Sequence, residues 1–336
     1  MRNSLKTFLY LAGAVLVVVI THYYALLFMP MHPRSASSIT ITVPKGASFR
    51  LIADRLEREG IIKSSDGVTI AGALTGSFTR IKAGEYELSP AMTAMEIIGI
   101  LSRGRTKEHT ITFPEGYNIQ DMAGLLSDEG LIQRDDEFLE KALDMKYTAS
   151  LGLAGPTLEG YLFPDTYRLT KDMGVDEIIR KMTFRFKDIY ASGFKDRAEK
   201  RGFSMKALVT LASIIEKEAG SKDEMRAVSA VFNNRLKRGI ALQSDPTVIY
   251  AIEGFDGNLK KEHLSMKDPY NTYRYSGLPP GPIANPGKDA LEAALDPLDE
   301  GYLYFVSRNN GTHQFSKTLA EHNRAVNLYQ RGLAAR

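Results

Sequence analysis

The chain has 336 residues, 43% of them hydrophobic and 25% charged, with a net charge of +3. That length accommodates two domains and a sizeable core, and the near balance of charge argues against a nucleic-acid partner. Absence of cysteine removes disulfides, thiolate zinc sites and a cysteine nucleophile, and the six histidines are scattered without a His-Glu-x-x-His pattern, so no metal or other cofactor is expected.

Arg2 and Lys6 precede an apolar run from Phe8 to Phe28. As a helix it would rise about 30 Å, roughly the thickness of one bilayer core. Tyr10, Tyr23 and Tyr24 suit interfacial positions, and the positive residues ahead of the run predict a cytoplasmic N-terminus with the remainder exported. The alternative is a cleavable signal peptide with Ser35-Ala36-Ser37 as its cleavage region. The run is long for such a peptide, which favours a retained single-pass anchor. Residues 1–38 then comprise a cytoplasmic tip, an anchor at about 8–28 and a linker.

An internal repeat follows. Ile41-Thr42-Val43-Pro44-Lys45-Gly46 matches Ile111-Thr112-Phe113-Pro114-Glu115-Gly116, and the offset of 70 residues holds through Ala53/Ala123, Leu56/Leu126, Gly60/Gly130 and Ile62/Ile132. Each copy reads as a strand ending at Pro-Gly, then an amphipathic helix with Ser48 or Asn118 as N-cap and Gly60 or Gly130 after its end. Between the copies, Ile81 to Leu88 is predicted as a strand and Thr93 to Leu101 as a short helix. Such units resemble the LysM fold, a wall-polysaccharide-binding module. Residues 39–106 are expected to form a LysM-like module and 107–155 a second repeat-like unit with its connection, acting either as a glycan binder or as a spacer.

From 156 to 336 aromatic, loop-rich segments alternate with helices. Asp176 to Tyr190 and Lys222 to Arg238 read as amphipathic helices, the second with Met225, Val228, Val231, Phe232 and Leu236 inside and Gly239 as its stop. Asp245 is expected as an N-cap with Pro246 at the first helical position. Gly277 to Pro282 is too rich in breakers for a regular element. Asp289 to Leu295 is a short helix, Asn309-Asn310-Gly311 marks a hairpin, and Leu319 to Leu333 is a last helix.

Ser204 to Gly220 is the stretch most suited to chemistry. It reads as a helix with Ser204 as N-cap and Gly220 in a left-handed C-terminal position. Leu208, Leu211, Ala212, Ile215 and Ala219 form an apolar stripe, while Lys206, Thr210, Ser213 and Lys217 fall on the face expected to be solvated. Glu216 and Glu218 flank the stripe, about 200° apart, so both cannot serve one bond. Dehydration beside apolar neighbours and the negative end of the helix dipole raise a carboxyl pKa, as a general acid requires. Both glutamates touch apolar neighbours; Glu218 lies nearer the helix end, and Glu216 is more easily satisfied by a structural partner. The acyl-enzyme alternative, a Ser-x-x-Lys at Ser192 to Lys195, lacks its companion motifs.

Glu159-Gly160-Tyr161-Leu162-Phe163-Pro164-Asp165-Thr166-Tyr167, Ala212-Ser213-Ile214-Ile215-Glu216-Lys217-Glu218 and Leu242-Gln243-Ser244-Asp245-Pro246-Thr247-Val248-Ile249-Tyr250 occur in the order found in the endolytic murein transglycosylase, or YceG-like, family. Tyr270-Asn271-Thr272-Tyr273, Gly277-Leu278-Pro279-Pro280-Gly281 and Tyr302-Leu303-Tyr304-Phe305-Val306 fit the same order, and the chain resembles that family over nearly its whole length. The resemblance implies an α+β protein: an N-terminal transmembrane helix, LysM-like β/α membrane-proximal modules and a mixed catalytic domain over 156–336. It implies an inner-membrane enzyme with a periplasmic catalytic domain. This enzyme would cut the β-1,4 bond between N-acetylmuramic acid and N-acetylglucosamine within peptidoglycan strands, leave 1,6-anhydro ends and so terminate or trim nascent strands. Glu218 stands at the position of the family's catalytic glutamate. Gln243, Asp245, Thr247, Tyr250, Asn271, Tyr273, Tyr161 and Glu216 are candidate substrate-binding residues, with helix capping open for Asp245 and loop hydrogen bonding for Asn271. Partners implied are peptidoglycan, the membrane and peptidoglycan synthases of the elongation machinery; a non-catalytic wall-binding scaffold is the alternative.

Overall fold

The computed structural model describes residues 2–76 and 81–332. Leu333, the expected end of the last helix, lies outside the described residues. The architecture is α+β, with three two-stranded sheets among the described residues and helices making up most of the rest. The chain divides into two compact units, Met1–Thr110 with Arg168–Met173, and Ile111–Tyr167 with Gly174–Arg336.

The first unit opens with α1 (Arg2–Phe28), whose segment Leu5–Phe28 is long and apolar enough to cross a membrane. Leu27, in its last turn, packs on the unit's core, and Lys63 Nζ donates to Ala25 O at 3.2 Å. Strand β1 (Ile39–Val43) pairs antiparallel with β2 (Gly84–Leu88), Ile41 opposite Tyr86. Helices α2 (Phe49–Arg58), α3 (Ser65–Leu74) and α4 (Ala94–Arg103) supply Ile52, Leu56, Val68, Ile97 and Leu101 to the core beside those strands. The strand expected from Ile81 begins only at Gly84. That residue has φ +135°, and a Cβ there would lie 2.3 Å from Thr106 Cγ2, so the chain bends where side chains close in.

The remaining elements are β3 (His109–Thr112), α5 (Ile119–Asp128), α6 (Asp135–Ala142), α7 (Met145–Ser150), β4 (Thr166–Leu169), α8 (Val175–Gly193), α9 (Lys195–Lys200), α10 (Met205–Glu218), α11 (Met225–Lys237), α12 (Asp245–Tyr250), α13 (Lys288–Leu295), β5 (Tyr304–Ser307), β6 (His313–Ser316) and α14 (Leu319–Tyr329). The two copies of the repeat use the same hydrogen bonds. Ser48 Oγ accepts from Leu51 N and Asn118 Oδ1 from Asp121 N at the helix starts. After the helices, Ile61 N donates to Leu56 O and Leu131 N to Leu126 O, both at 2.9 Å, with Gly60 and Gly130 left-handed. The second copy adds a capping box, Asp121 returning a bond to Asn118 N.

Helix α10 is the axis of the second unit, packed against α11, α12 and α13. Of its expected solvated face, Lys206 and Lys217 are exposed but the middle is not. Thr210 and Ser213 are buried along with every residue from Leu208 to Ile215. They are tolerated because their hydroxyls are satisfied: Thr210 Oγ1 donates to Lys206 O, and Ser213 Oγ donates to Thr210 O while accepting from Ile283 N at 3.1 Å. The last bond fastens the proline-set loop to the helix. Periodicity placed the stripe, but two hydroxyls with backbone partners read the same as two facing water. Ser192, at the end of α8, is exposed and donates to Ile189 O.

Candidate active site

Ser204 caps α10, accepting from Ala207 N at 3.1 Å, and the helix delivers Glu218 as its last residue. The expected left-handed Gly220 is not found. Ala219 turns out of the helix in an extended conformation (φ −70°, ψ 126°), and Gly220 is absent from the positive-φ positions. Glycine is required there by a close approach: a Cβ on Gly220 would stand 2.3 Å from the carbonyl oxygen of Gly311, in the turn of the β5–β6 hairpin. Four residues on, Glu224 accepts from both the backbone N and Nδ1 of His313, at 2.8 and 2.9 Å. The hairpin is thereby fastened to the segment leaving α10. Gly220→Ala is expected to push it outward and lower activity by about tenfold while the protein stays folded, since sub-ångström errors in a site are costly. Steady-state kinetics beside a melting curve check this.

Glu218 lies at the base of an open cleft of about 390 Å³. Gln243, Asp245, Tyr273 and Arg235 line it, as do Phe305, Val306, Ser307 and His313 of the hairpin and His322, Val326 and Gln330. Ser244 Oγ, itself buried, donates to Glu218 Oε1 at 2.6 Å. Burial pushes the Glu218 carboxyl up to about 7; the Asp245 charge adds to the rise, while the Ser244 bond and the Arg235 charge oppose it. Arg235 is buried and donates to the carbonyls of Leu303, Ala241 and Leu242 and to Gln243 Oε1. Those bonds hold the turn in which Gln243 sits at φ +54°, a strained value for a side-chain-bearing residue. Gln243 N donates to Thr272 O, and Ser244 N to Thr272 Oγ1 at 3.0 Å, so the turn is fixed from both flanks.

Of the residues singled out from the sequence, the cleft brings together Glu218, Gln243, Asp245 and Tyr273, the last donating its hydroxyl to Asp245 Oδ1 at 2.6 Å. Ser244, rather than Asp245, is the N-cap of α12, although without a side-chain cap bond, and Asp245 is left with its side chain at the cleft. The others stand behind the lining. Thr247 is buried, donating to Ser244 O at 2.7 Å and pairing with Thr272. Asn271 is buried with its amide fully used: Nδ2 donates to Leu264 O and Met266 O, and Oδ1 accepts from Tyr273 N. Tyr161 packs edge-on against Phe186 in the core. Tyr250 is hydrogen-bonded to Glu159, and Glu216 Oε2 accepts from Gly287 N at 2.9 Å.

Sequence reasoning missed Ser244 as the partner of Glu218, Arg235 as the brace beneath the Gln243 turn, and the wall formed by the hairpin and α14. It also passed over Glu159, a buried carboxyl that accepts from Ile119 N and Asn285 Nδ2 and is pushed up to about 8 by burial. For α14 a signal existed: His322, Val326 and Gln330 recur every four residues and share one helix face. For Arg235 there was none, since its burial depends on carbonyls brought in from residues 241, 242 and 303. Among the described residues no cluster of His, Asp or Glu is arranged to hold a metal.

Among known proteins, the endolytic murein transglycosylase of Bacillus subtilis (strain 168) is 35% identical over 319 residues, spanning 90% of this chain and 88% of that protein. One of the same name from Streptococcus pneumoniae serotype 2 (strain D39 / NCTC 7466) is 28% identical over 333 residues, and this chain spans only 59% of its length. A crystal structure of a yceG-like protein from Listeria monocytogenes matches with a TM-score of 0.61 and 33% identity, over 86% of this chain and 99% of that one. The YceG-like family matches residues 41–328, a span that takes in every residue lining the cleft except Gln330. On that match and those identities, the chain belongs to the YceG-like family.

Proposed function

We propose that the protein is an endolytic lytic transglycosylase that cleaves peptidoglycan glycan strands between N-acetylmuramic acid and N-acetylglucosamine, with Glu218 as its acid and base. The observation that carries this is the Glu218 carboxyl, which lines an open cleft and is dehydrated enough to hold its proton near neutral pH. Ser244 donates to Oε1, which leaves the proton on Oε2. From there it passes to the glycosidic oxygen as the bond breaks, and the resulting carboxylate, steadied by Ser244 and the Arg235 charge, takes the proton of the C6 hydroxyl as that oxygen closes on the anomeric carbon. The sugar supplies its own tethered nucleophile, so a second carboxylate is not needed. Gln243, Asp245 and Tyr273 contact the sugars; Thr247, Asn271, Tyr250, Tyr161 and Glu216 act from behind by holding the loops that carry them.

One observation favours a second reading, hydrolysis by water: Asp245 is another carboxylate in the same cleft. Full-length protein in detergent, incubated with uncrosslinked glycan strands and followed by mass spectrometry, separates the cases. Anhydro ends support the lyase, new reducing ends support hydrolysis, and intact strands leave a wall-binding scaffold. In this reading α1 is a retained anchor with a cytoplasmic N-terminus, residues 39–106 are a LysM-like spacer or glycan binder, 107–155 a second such unit, and the catalytic part, 156–336, works outside the inner membrane beside peptidoglycan synthases. Recovery of a mature chain beginning near residue 38 in membrane-free extracts would sink the anchor.

The pH dependence follows from the two neighbours of Glu218. Its acid form is the starting form, so the rate should fall about tenfold per unit above roughly pH 7. Asp245→Asn removes a charge that raises the carboxyl pKa and should move this limb to lower pH; Ser244→Ala removes a donor that lowers it and should move the limb up. Profiles of kcat/KM for both variants measure the shifts, and shifts of the same sign would refute the arrangement.

A further inference from the structure

The lining of the Glu218 cleft includes a polar group whose chemistry is unassigned. His322 lines the cleft from the face of α14 that also presents Val326 and Gln330. Its ring lies on Tyr304, centroids 5.2 Å apart and planes 24° from parallel, and the Arg235 guanidinium is 5.3 Å from the same Tyr304 ring. The plane of the imidazole is therefore set by a stack that reaches Arg235, the brace of the Gln243 turn. Nδ1 is buried without a hydrogen-bond partner, whereas Nε2 is not among the buried unpartnered atoms and has no hydrogen-bond partner among the described residues. Burial and the nearby Arg235 charge hold the ring's pKa below its ordinary value, so it works as neutral imidazole.

A neutral ring has one N–H and one lone pair. With Nδ1 facing no donor or acceptor, the proton is useful only on Nε2, where a bound molecule can accept it. The ring edge at the cleft then offers a donor and no acceptor, beside the apolar surfaces of Val326 and Phe305. A sugar hydroxyl, which seeks both a donor and an acceptor, is a poor match. An acetamido group, with a carbonyl acceptor and a methyl, suits both parts. Resting on the glycan-cleaving function proposed above, we propose that His322, Val326 and Phe305 form a recognition site for the 2-acetamido group of a substrate sugar. His322 is a positioning and specificity residue; it takes no part in proton transfer.

The test compares kcat/KM of the full-length protein on N-acetylated strands and on the same strands after chemical de-N-acetylation. The native protein should prefer the acetylated polymer by about tenfold, the worth of one neutral hydrogen bond. His322→Leu should reduce that preference to about twofold, through KM with kcat nearly unchanged, and His322→Gln, which keeps an N–H donor, should retain most of it. A native protein that cuts both polymers equally overturns the proposal, as does a folded His322→Leu variant that keeps the full preference or loses only kcat. Should the leucine variant not fold, the glutamine variant decides: preference kept supports the site, preference lost overturns it. A native protein that cuts neither polymer would overturn the catalytic reading instead.

Discussion

Glu218→Gln is expected to fold normally and to lower turnover by at least about 10²-fold, the usual loss when an acid–base group is removed. The amide keeps the volume of the side chain and still accepts the Ser244 hydroxyl, so packing at the end of α10 is preserved. What is lost is the proton. Stability should respond to pH as well. The native carboxyl, raised from 4.5 to about 7, favours the folded state fully below pH 4.5, and this contribution is lost as pH rises toward 7. The amide has no such loss, so the melting temperature of the variant should gain on the native protein between pH 5 and pH 7. Glu216→Gln is the control: its bond is to Gly287 N, which an amide oxygen also accepts, and turnover should stay within about threefold. A dead but folded Glu216→Gln beside a working Glu218→Gln would reverse the assignment.

Gly160→Ala should be the most destabilising of the small substitutions. Gly160 is buried at φ +85°, and a Cβ there would lie 2.6 Å from Pro282 Cβ and Cγ and 2.7 Å from Val209 Cγ1. The left-handed conformation and the overpacking together cost about 2–5 kcal/mol, so the melting temperature should drop by on the order of 10 °C. Calorimetry measures it, and a change of under about 1 kcal/mol would mean that the proline loop yields to the methyl group. This explains why a glycine stands between Glu159 and Tyr161. The turn must let α10 and the Gly277–Pro282 loop close over it, and that closure also lets Ser213 hold Ile283 N.

Local signals carried much of the fold. The caps at Ser48, Asn118 and Ser204 and the hairpin at Asn309–Gly311 depend on neighbours within a few residues, and the structure uses them; the helix expected from Pro246 begins one residue earlier, at Asp245. Failures fell where the partner is distant in the chain. Gly220 reads as a helix terminator until Gly311 is brought against it, and Ser213 reads as a surface residue until Ile283 arrives. The site divides in the same way. Glu218 could be singled out because it stands nearest the end of one helix and matches a family motif; the apolar stripe by itself served Glu216 equally. Its partner Ser244 was quoted within a motif but could not be given a role, because nothing in the spacing of 26 residues between the two says that they meet.

The duplicated strand–turn–helix ends up under very different obligations in its two places. At Gly46 an added Cβ would find open space, although the neighbouring Ala47 packs on the first unit's core. At Gly116 the same turn is tied down twice: its N–H donates to Asn285 O at 2.9 Å, and its carbonyl accepts from Lys217 Nζ at 3.2 Å. A cut or an insertion at 116 would therefore pull on the residue next to Glu218. For anyone wishing to place an epitope, a fluorophore or a tether on this protein without disturbing its chemistry, the two turns are opposites. The one at 44–46 is the natural port, and its twin at 114–117 is tied to the helix that carries Glu218.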